Sequence, residues 1–376
     1  MKRKNIKIVA DENISGLDAF EKFADVFKVS GRMFSVESIK DADALLVRSV
    51  SKIDKNLLED SSVKFVASAT SGIDHVDVNY LHEKNIQFAH APGSNANSVV
   101  QYVFASLAFL SQKYLFDWRK LSVGIVGAGN IGALLADYLT KLNINFIIYD
   151  PLLTNNHRHS DKFSSFEKVI KQDVLSVHTP LTTEGPYPTN HLFDEAIIKA
   201  LNKDCILINT SRGAVFDNQA LFREYKNNSW RCVLDAWENE PDILIPLLAQ
   251  VDIGTSHIAG YSYEGKEQGT AQIYQDFLEF FCLENVSAYR LKTENKLLTI
   301  SNKETDLEQI NAAILGAYKI QDDYQQMLKL ANKTQASSFD SLRKNYSLRR
   351  EFQYYRLDYS CFSESAGKVL RSLGFN

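Results

Sequence analysis

Short apolar runs separated by polar, helix-patterned stretches set the rhythm of the first 95 or so residues. "IKIVA", "ALLVR", "KFVASAT" and "IQFAHA" are near-continuous in apolar or small residues, the pattern of strands covered on both faces. Their alternation with amphipathic segments predicts βαβ units and a parallel sheet. The opening "MKRKNIKIVADENIS" sets basic residues before an apolar run. That run is too short for the apolar core of a signal peptide and meets Asp11 and Glu12 at once, so it predicts a first strand. "NSVVQYVFASLAFLSQK", Asn97 to Lys113, predicts a long apolar helix of the kind that joins two domains.

A second series begins with "LSVGIVGAGNIGALLADYLTKLNINFIIYD", which reads as strand, glycine turn, helix and strand. Further strands are expected at "VLSVHTP", "CILINTS", "CVLDAW" and "DIGTS", with helices over residues 194–201 and 218–226 between them. This block reaches residue 258 and predicts a doubly wound α/β sheet. After about residue 290 the pattern changes. "ETDLEQINAAILGAYKIQDDYQQMLKLANK" predicts one long helix, "FDSLRKNYSLRREF" is a basic stretch with aromatics, and "SESAGKVLRSLGFN" predicts a closing helix. Residues 291–376 are therefore expected to form a third, smaller α+β domain.

Composition narrows the function classes. The chain has 376 residues, 45% hydrophobic and 23% charged, ordinary for a soluble globular protein. A net charge of −4 offers no global basic field, so nucleic acid is not an expected partner. No apolar run approaches the length of a membrane span. Cys205, Cys232, Cys282 and Cys361 are scattered and form no CxxC pair, which fits a reducing, cytoplasmic setting.

Candidate chemistry begins at Gly127, Gly129, Asn130, Ile131 and Gly132, a G-x-G-x-x-G between a predicted strand and a predicted helix. Glycines there permit a tight turn and a close backbone approach, and the helix start faces a pyrophosphate. Asp150 ends the next strand, placed to bond the adenosine ribose hydroxyls and to repel a 2′-phosphate, which favours NAD over NADP. The bland alternative is a glycine turn in a sheet protein that binds no nucleotide. Three polar residues then fall at strand ends: Arg212 after "ILINTS", Glu240 in "LDAWENEP" and His257 after "DIGTS". A neutral imidazole suits removal of a hydroxyl proton, a carboxylate fixes its tautomer, and a guanidinium fork suits a substrate carboxylate. Singly, each has a structural explanation: His257 a loop residue bonding a carbonyl, Arg212 an ion pair with Asp217, Glu240 a solvated loop residue. Their joint occurrence behind a dinucleotide cradle points to a dehydrogenase.

The motifs together resemble the D-2-hydroxyacid dehydrogenase family, and within it the 4-phosphoerythronate dehydrogenase branch. The resemblance rests on "VADENIS", "DADALLVRSVSKI", "ASATSGIDHVD", "APGSNANSVVQYVFASL", "VGIVGAGNIG", "HTPLTTEGPY", "SRGAVFDNQAL", "WENEP", "VDIGTSHIAGYSYEGK" and "FDSLRKNYSLRREF", and spans nearly the whole chain. It implies a flavodoxin-like substrate domain from residues 1–95 plus 259–290, a Rossmann-type NAD domain over 96–258 and a C-terminal dimerisation domain over 291–376. It implies a catalytic trio of Arg212, Glu240 and His257, with His257 as proton donor and acceptor. NAD contacts would come from Asp150, Thr179, Thr210, Ser211, Asp235 and Gly260, and substrate contacts from Ser49, Thr70 and Tyr261. The implied activity is NAD-dependent oxidation of 4-phospho-D-erythronate in pyridoxal 5′-phosphate biosynthesis, by a cytoplasmic homodimer. Ser94 and Ser211 stand where related stretches carry cysteine.

For the substrate phosphate the residues offer Arg48 and Ser49 at a strand end and the hydroxyls of Thr70 and Ser71. The run Arg343, Lys344, Arg349 and Arg350 either reaches an active site or is a solvated or salt-bridged helix face. His157-Arg158-His159 has no further ligand at metal spacing, so a solvated loop is expected there. His75 and His82 are seven apart, a spacing that can share one helix face, while Asp74 and Asp77 are expected to serve as turn and cap residues, again without a metal. The aromatics of residues 324–363 read as a core or dimer seam. Two rivals remain open: a 3-phosphoglycerate dehydrogenase or other 2-hydroxyacid dehydrogenase, and an NAD-sensing binding protein on the same fold.

Overall fold

Short buried runs of aliphatic residues build two all-parallel sheets. The structure, a computed structural model, describes residues 6–153, 158–284, 289, 294–300, 304–330, 335–347 and 349–376, with backbone alone at 330 and 335–338. The chain divides into two units, Met1–Asn95 with Ser262–Thr293, and Ala96–Tyr261 with Glu294–Asn376.

In the first unit, strands β1 (Ile6–Asp11), β2 (Ala24–Val29), β3 (Ala44–Val47), β4 (Phe65–Ser68) and β5 (Gln87–His90) lie in the order β2-β1-β3-β4-β5. This is the flavodoxin-like order expected for the substrate domain. Alternate side chains sort to the two faces. Ile8, Leu46, Phe65 and Ala67 pack with Phe20, Ile273 and Phe277, while Val9, Leu45, Val47 and Val66 pack with Ile39, Leu58 and Leu81. Strand β2 has no apolar run in the sequence because it is an edge strand whose side chains are largely solvent-facing. Ser262 caps the helix Tyr263–Phe280, accepting from the Gly265 amide at 2.8 Å, and that helix supplies Ile273 and Phe277.

In the second unit, strands β6 (Val123–Val126), β7 (Phe146–Tyr149), β8 (Val174–Val177), β9 (Ile206–Asn209), β10 (Arg231–Leu234) and β11 (Ile253–Gly254) run in the order β11-β10-β9-β8-β6-β7. Growth of the sheet reverses between β6 and β8, the switch point at which open parallel sheets bind ligands. Beyond β7 a lone parallel bridge, Ile148 to Phe163, marks one more edge position. Ile125, Val174, Ile208 and Val233 face one core; Val126, Leu175, Leu207 and Leu234 face the other.

The helix Ala96–Tyr114 covers the expected stretch and is buried along most of its length, as its apolar residues on all sides require. Among the described residues no helix is long and apolar enough to cross a membrane.

The C-terminal segment departs from expectation in two ways. It does not stand apart: helices Asp306–Ala317 and Glu364–Ser372 share one apolar core with Ala96–Tyr114 and β6, so residues 294–376 join the second unit, as do 259–261. The single long helix is two, Asp306–Ala317 and Ile320–Leu330. The break at extended Tyr318 places its ring in the interior, where the guanidinium of Arg349 stacks 4.0 Å from the ring centroid. A short parallel pair, β12 (Lys296–Leu297) and β13 (Tyr355–Arg356), supplies the expected β character.

Candidate active site

The cradle forms where β6 meets the helix Asn130–Lys141. Gly127 has φ of 87°, and a side chain there would press on the backbone of His178 and Thr179 at 3.0 Å. A Cβ at Gly132 would collide with the Gly127 carbonyl oxygen, so the third glycine lets the helix pack on the strand. Around Gly129 nothing lies within 4 Å of an added Cβ, and Gly129 and Asn130 are exposed, so this side of the turn is open to a ligand. The carboxylate of Asp150 accepts from the amide of Ala128 at 2.9 Å and from that of Leu152 at 3.1 Å, which fixes it beside the turn. Thr179 presents a buried hydroxyl oxygen that has no hydrogen-bond partner. The Thr210 hydroxyl and His178 Nδ1 are 3.1 Å apart, and burial pushes the His178 pKa down to about 3, keeping that ring neutral. An open glycine turn, a helix start, a fixed carboxylate and an unsatisfied buried hydroxyl fit a dinucleotide.

The three candidate catalytic residues all belong to this second unit. His257 Nδ1 lies 2.8 Å from Glu240 Oε2 and 3.2 Å from Oε1. Burial opposes ionisation of Glu240, but the His257 ring, its hydrogen bond, the Trp237 amide and the charge of Arg343 outweigh it, so the carboxyl sits below its ordinary range. An ionised carboxylate only accepts, so His257 Nδ1 carries a proton, and in the neutral ring that tautomer leaves the lone pair on Nε2. The two side chains are 31% and 20% exposed, which leaves the ring within reach of a substrate.

Local packing explains why these residues meet. The Trp237 amide donates to Glu240 Oε1 at 2.8 Å, and its indole N–H donates to the Thr255 carbonyl at 2.8 Å. Gly213 lies so close to the Trp237 carbonyl and the Glu238 amide that any side chain would overlap them, so the turn after Arg212 rests directly on the turn that carries Glu240. Asn209 ties the same pieces: it donates to the Arg212 carbonyl at 3.2 Å and the Ala236 carbonyl at 3.3 Å, and accepts from Ser211. Asp217 caps the helix Asn218–Tyr225, accepting from the Ala220 amide at 2.8 Å.

Asp235 proves more central than the sequence suggested. Its side chain accepts from the Thr255 hydroxyl at 2.6 Å, the Ile258 amide at 2.7 Å and the Ala259 amide at 2.9 Å. Gly260 follows in a turn closed by the Tyr261 amide on the Ile258 carbonyl at 2.8 Å. Arg349, only 8% exposed, grips that turn from the C-terminal segment, donating to the carbonyls of Ala259 at 2.5 Å and Tyr261 at 3.1 Å. Arg350 is also buried and donates to the Glu294 carbonyl at 3.0 Å, so neither arginine belongs to a solvated face. The motif "LRKNYSLRREF" announced the segment, but nothing in it distinguished these roles.

In the first unit, Arg48 and Ser49 follow β3, and Thr70 follows β4. The guanidinium of Arg48 is held by the fully buried carboxylate of Asp11, at 2.9 Å through Nε and 3.3 Å through Nη2. Thr70 lies 2.8 Å from the Ser68 hydroxyl and bonds the Gly72 carbonyl at 3.2 Å. In the second unit, the stretch expected to be a solvated loop is tied down instead: Arg158 and His159 both bond the carboxylate of Asp137, and His157 lies outside the described residues. His75 faces the Ser68 hydroxyl at 3.1 Å and Asp77 caps the helix Val78–Glu83.

Comparison with known proteins agrees with this geometry. Residues 106–259 match the D-isomer specific 2-hydroxyacid dehydrogenase NAD binding domain, and residues 292–374 match a domain of unknown function, DUF3410. The chain is 39% identical over 376 residues to the erythronate-4-phosphate dehydrogenase of Yersinia enterocolitica, covering 99% of each. It is 40% identical over 375 residues to that of Escherichia coli strain K12, covering 99% of this chain and 98% of the other. Among solved structures, an NAD-bound 3-phosphoglycerate dehydrogenase from Entamoeba histolytica shares the fold at a TM-score of 0.64 and 22% identity, over 77% of this chain and 99% of that one. Full-length identity near 40%, on a fold and cradle of this kind, means that the chain belongs to the erythronate-4-phosphate dehydrogenases of the D-isomer specific 2-hydroxyacid dehydrogenase family.

Proposed function

We propose that the chain oxidises 4-phospho-D-erythronate at C2 to (R)-3-hydroxy-2-oxo-4-phosphobutanoate, with NAD as cofactor. The observation that carries the mechanism is the His257–Glu240 pair, with Nδ1 bound to a carboxylate and Nε2 left as a base. His257 Nε2 takes the proton of the C2 hydroxyl, and Glu240 stabilises the imidazolium that forms. Arg212 binds the substrate carboxylate through its planar fork. Bound NAD supplies the hydride acceptor for C2. Gly127, Gly129, Asn130, Ile131 and Gly132 hold the pyrophosphate, and Asp150 bonds the ribose. Thr179, Thr210, Ser211, Asp235 and Gly260 line the remainder of the cofactor site. Ser49, Thr70 and Tyr261 contact the substrate. The charge of Arg48 is met by Asp11 in this structure, which favours a role in shaping the first unit over a full claim on the phosphate.

The same reading extends to a cytoplasmic homodimer that serves pyridoxal 5′-phosphate biosynthesis. Four unpaired cysteines suit a reducing compartment. The direct test is NADH formation on addition of 4-phospho-D-erythronate to the purified chain and NAD. Sustained turnover supports the reading; NADH binding with no turnover on any 2-hydroxy acid favours the sensor alternative.

A further inference from the structure

We propose that Arg343, supplied by the segment that matches a domain of unknown function, belongs to the active site and binds the substrate phosphate together with the hydroxyl of Tyr261. This rests on the functional reading above and adds a residue and a role to it.

Placement carries the inference. Arg343 lies in the last turn of the helix Gln335–Lys344. Its Nη2 donates to the Tyr261 hydroxyl oxygen at 3.2 Å, and its guanidinium lies 5.7 Å from the centroid of that ring. Tyr261 closes the turn that begins at Ile258, directly after His257. The charge of Arg343 also reaches Glu240, where it helps to hold the carboxylate ionised. A residue distant in sequence therefore places a permanent cation against Tyr261, within electrostatic reach of Glu240. The bond to Tyr261 uses a lone pair of the phenolic oxygen, so the guanidinium and the hydroxyl lie side by side.

The substrate chemistry asks for such a group. A 2-hydroxy acid with a terminal phosphate carries anions at both ends, and Arg212 suits one of them. A phosphate monoester is best met by a guanidinium with several N–H donors, aided by a neutral hydroxyl. Arg349 and Arg350 make backbone and ring contacts that place them at other points of the fold. Arg349 spends Nε and Nη2 on the Ala259 and Tyr261 carbonyls and stacks on Tyr318. Arg350 bonds the Glu294 carbonyl and stacks on Tyr354 at 4.8 Å. Arg48 faces Asp11. Arg349, by clamping the carbonyls on both sides of Gly260, also keeps Tyr261 in fixed register with the segment that bears Arg343.

The experiment compares kcat/KM for 4-phospho-D-erythronate and for unphosphorylated D-erythronate in the wild type, Arg343→Met and Arg343→Lys, with NADH binding and Tm as checks of folding. Arg343→Met is expected to lose about 30-fold of the preference for the phosphorylated substrate, chiefly through KM, and Arg343→Lys to recover part of it. Competitive inhibition by inorganic phosphate should weaken in parallel. An unchanged preference, or an equal loss on both substrates, overturns the inference, because a residue acting only through Tyr261 or Glu240 does not discriminate between them. If Arg343→Met fails to fold, the lysine variant and Arg343→Gln decide on the same ratio. A wild type with no preference for the phosphorylated acid refutes the functional reading itself, a result distinct from failure of the variant alone.

Discussion

The backbone carbonyl of Asp235 accepts the amide of His257 at 2.9 Å while its carboxylate takes the amides of the next two residues. That grip holds His257 at φ of 57°, a left-handed conformation that costs a non-glycine residue about 1–2 kcal/mol. Asp235→Asn replaces an acceptor oxygen with an NH₂ that faces an amide N–H. We expect kcat to fall about 10- to 100-fold with a lowered Tm. Paired measurement of kcat and Tm checks it; an unchanged kcat would show that the turn holds without Asp235.

His257→Asn removes the Nε2 base and keeps a polar amide near the position of Nδ1. The rate is expected to fall about 10²- to 10⁴-fold, while NADH still quenches protein fluorescence. Near-normal turnover would transfer the proton step to another residue.

Glu240 gives the pH prediction. Its carboxyl sits below its ordinary range in the fold, so the unfolded chain binds this proton more readily than the native one. The associated stability is present above the ordinary glutamate pKa and is lost as pH falls through the lowered folded value. Urea unfolding between pH 7 and pH 3 should show this acid-side loss, and Glu240→Gln should flatten it. The same variant deprives the imidazolium of its counter-charge, so the acid limb of the kcat/KM profile should move to lower pH. An unmoved limb would mean that Glu240 does not act on His257.

Asp150→Ala tests cofactor choice. With both carboxylate oxygens fixed beside the glycine turn, the side chain is expected to oppose a 2′-phosphate. The ratio of kcat/KM for NAD over NADP should fall by about tenfold or more, chiefly through loss on NAD. An unaltered ratio would remove Asp150 from ribose recognition.

Much of this architecture was legible because parallel strands buried on both faces write continuous apolar runs, as at β3, β4, β6 and β9. Edge strand β2 was not, since its solvent-facing positions carry polar residues. Arg212, Glu240 and His257 could be picked out because each follows a readable strand. The work of Asn209, Gly213 and Asp235 could not, because it lies in contacts between turns far apart in sequence. The C-terminal segment was the least legible part. Its helices bury against Ala96–Tyr114 rather than against one another alone, so its own pattern suggested a separate domain. Nor does a run of arginines disclose which guanidinium meets a carbonyl, an aromatic ring or a tyrosine hydroxyl.

The substrate of this enzyme is decided by the initial rate of NAD reduction with 4-phospho-D-erythronate, 3-phospho-D-glycerate and D-erythronate supplied in parallel. We expect kcat/KM for 4-phospho-D-erythronate to exceed both others by about 100-fold or more. A preference for 3-phospho-D-glycerate, or no turnover on any of the three with NADH still bound, would contradict it.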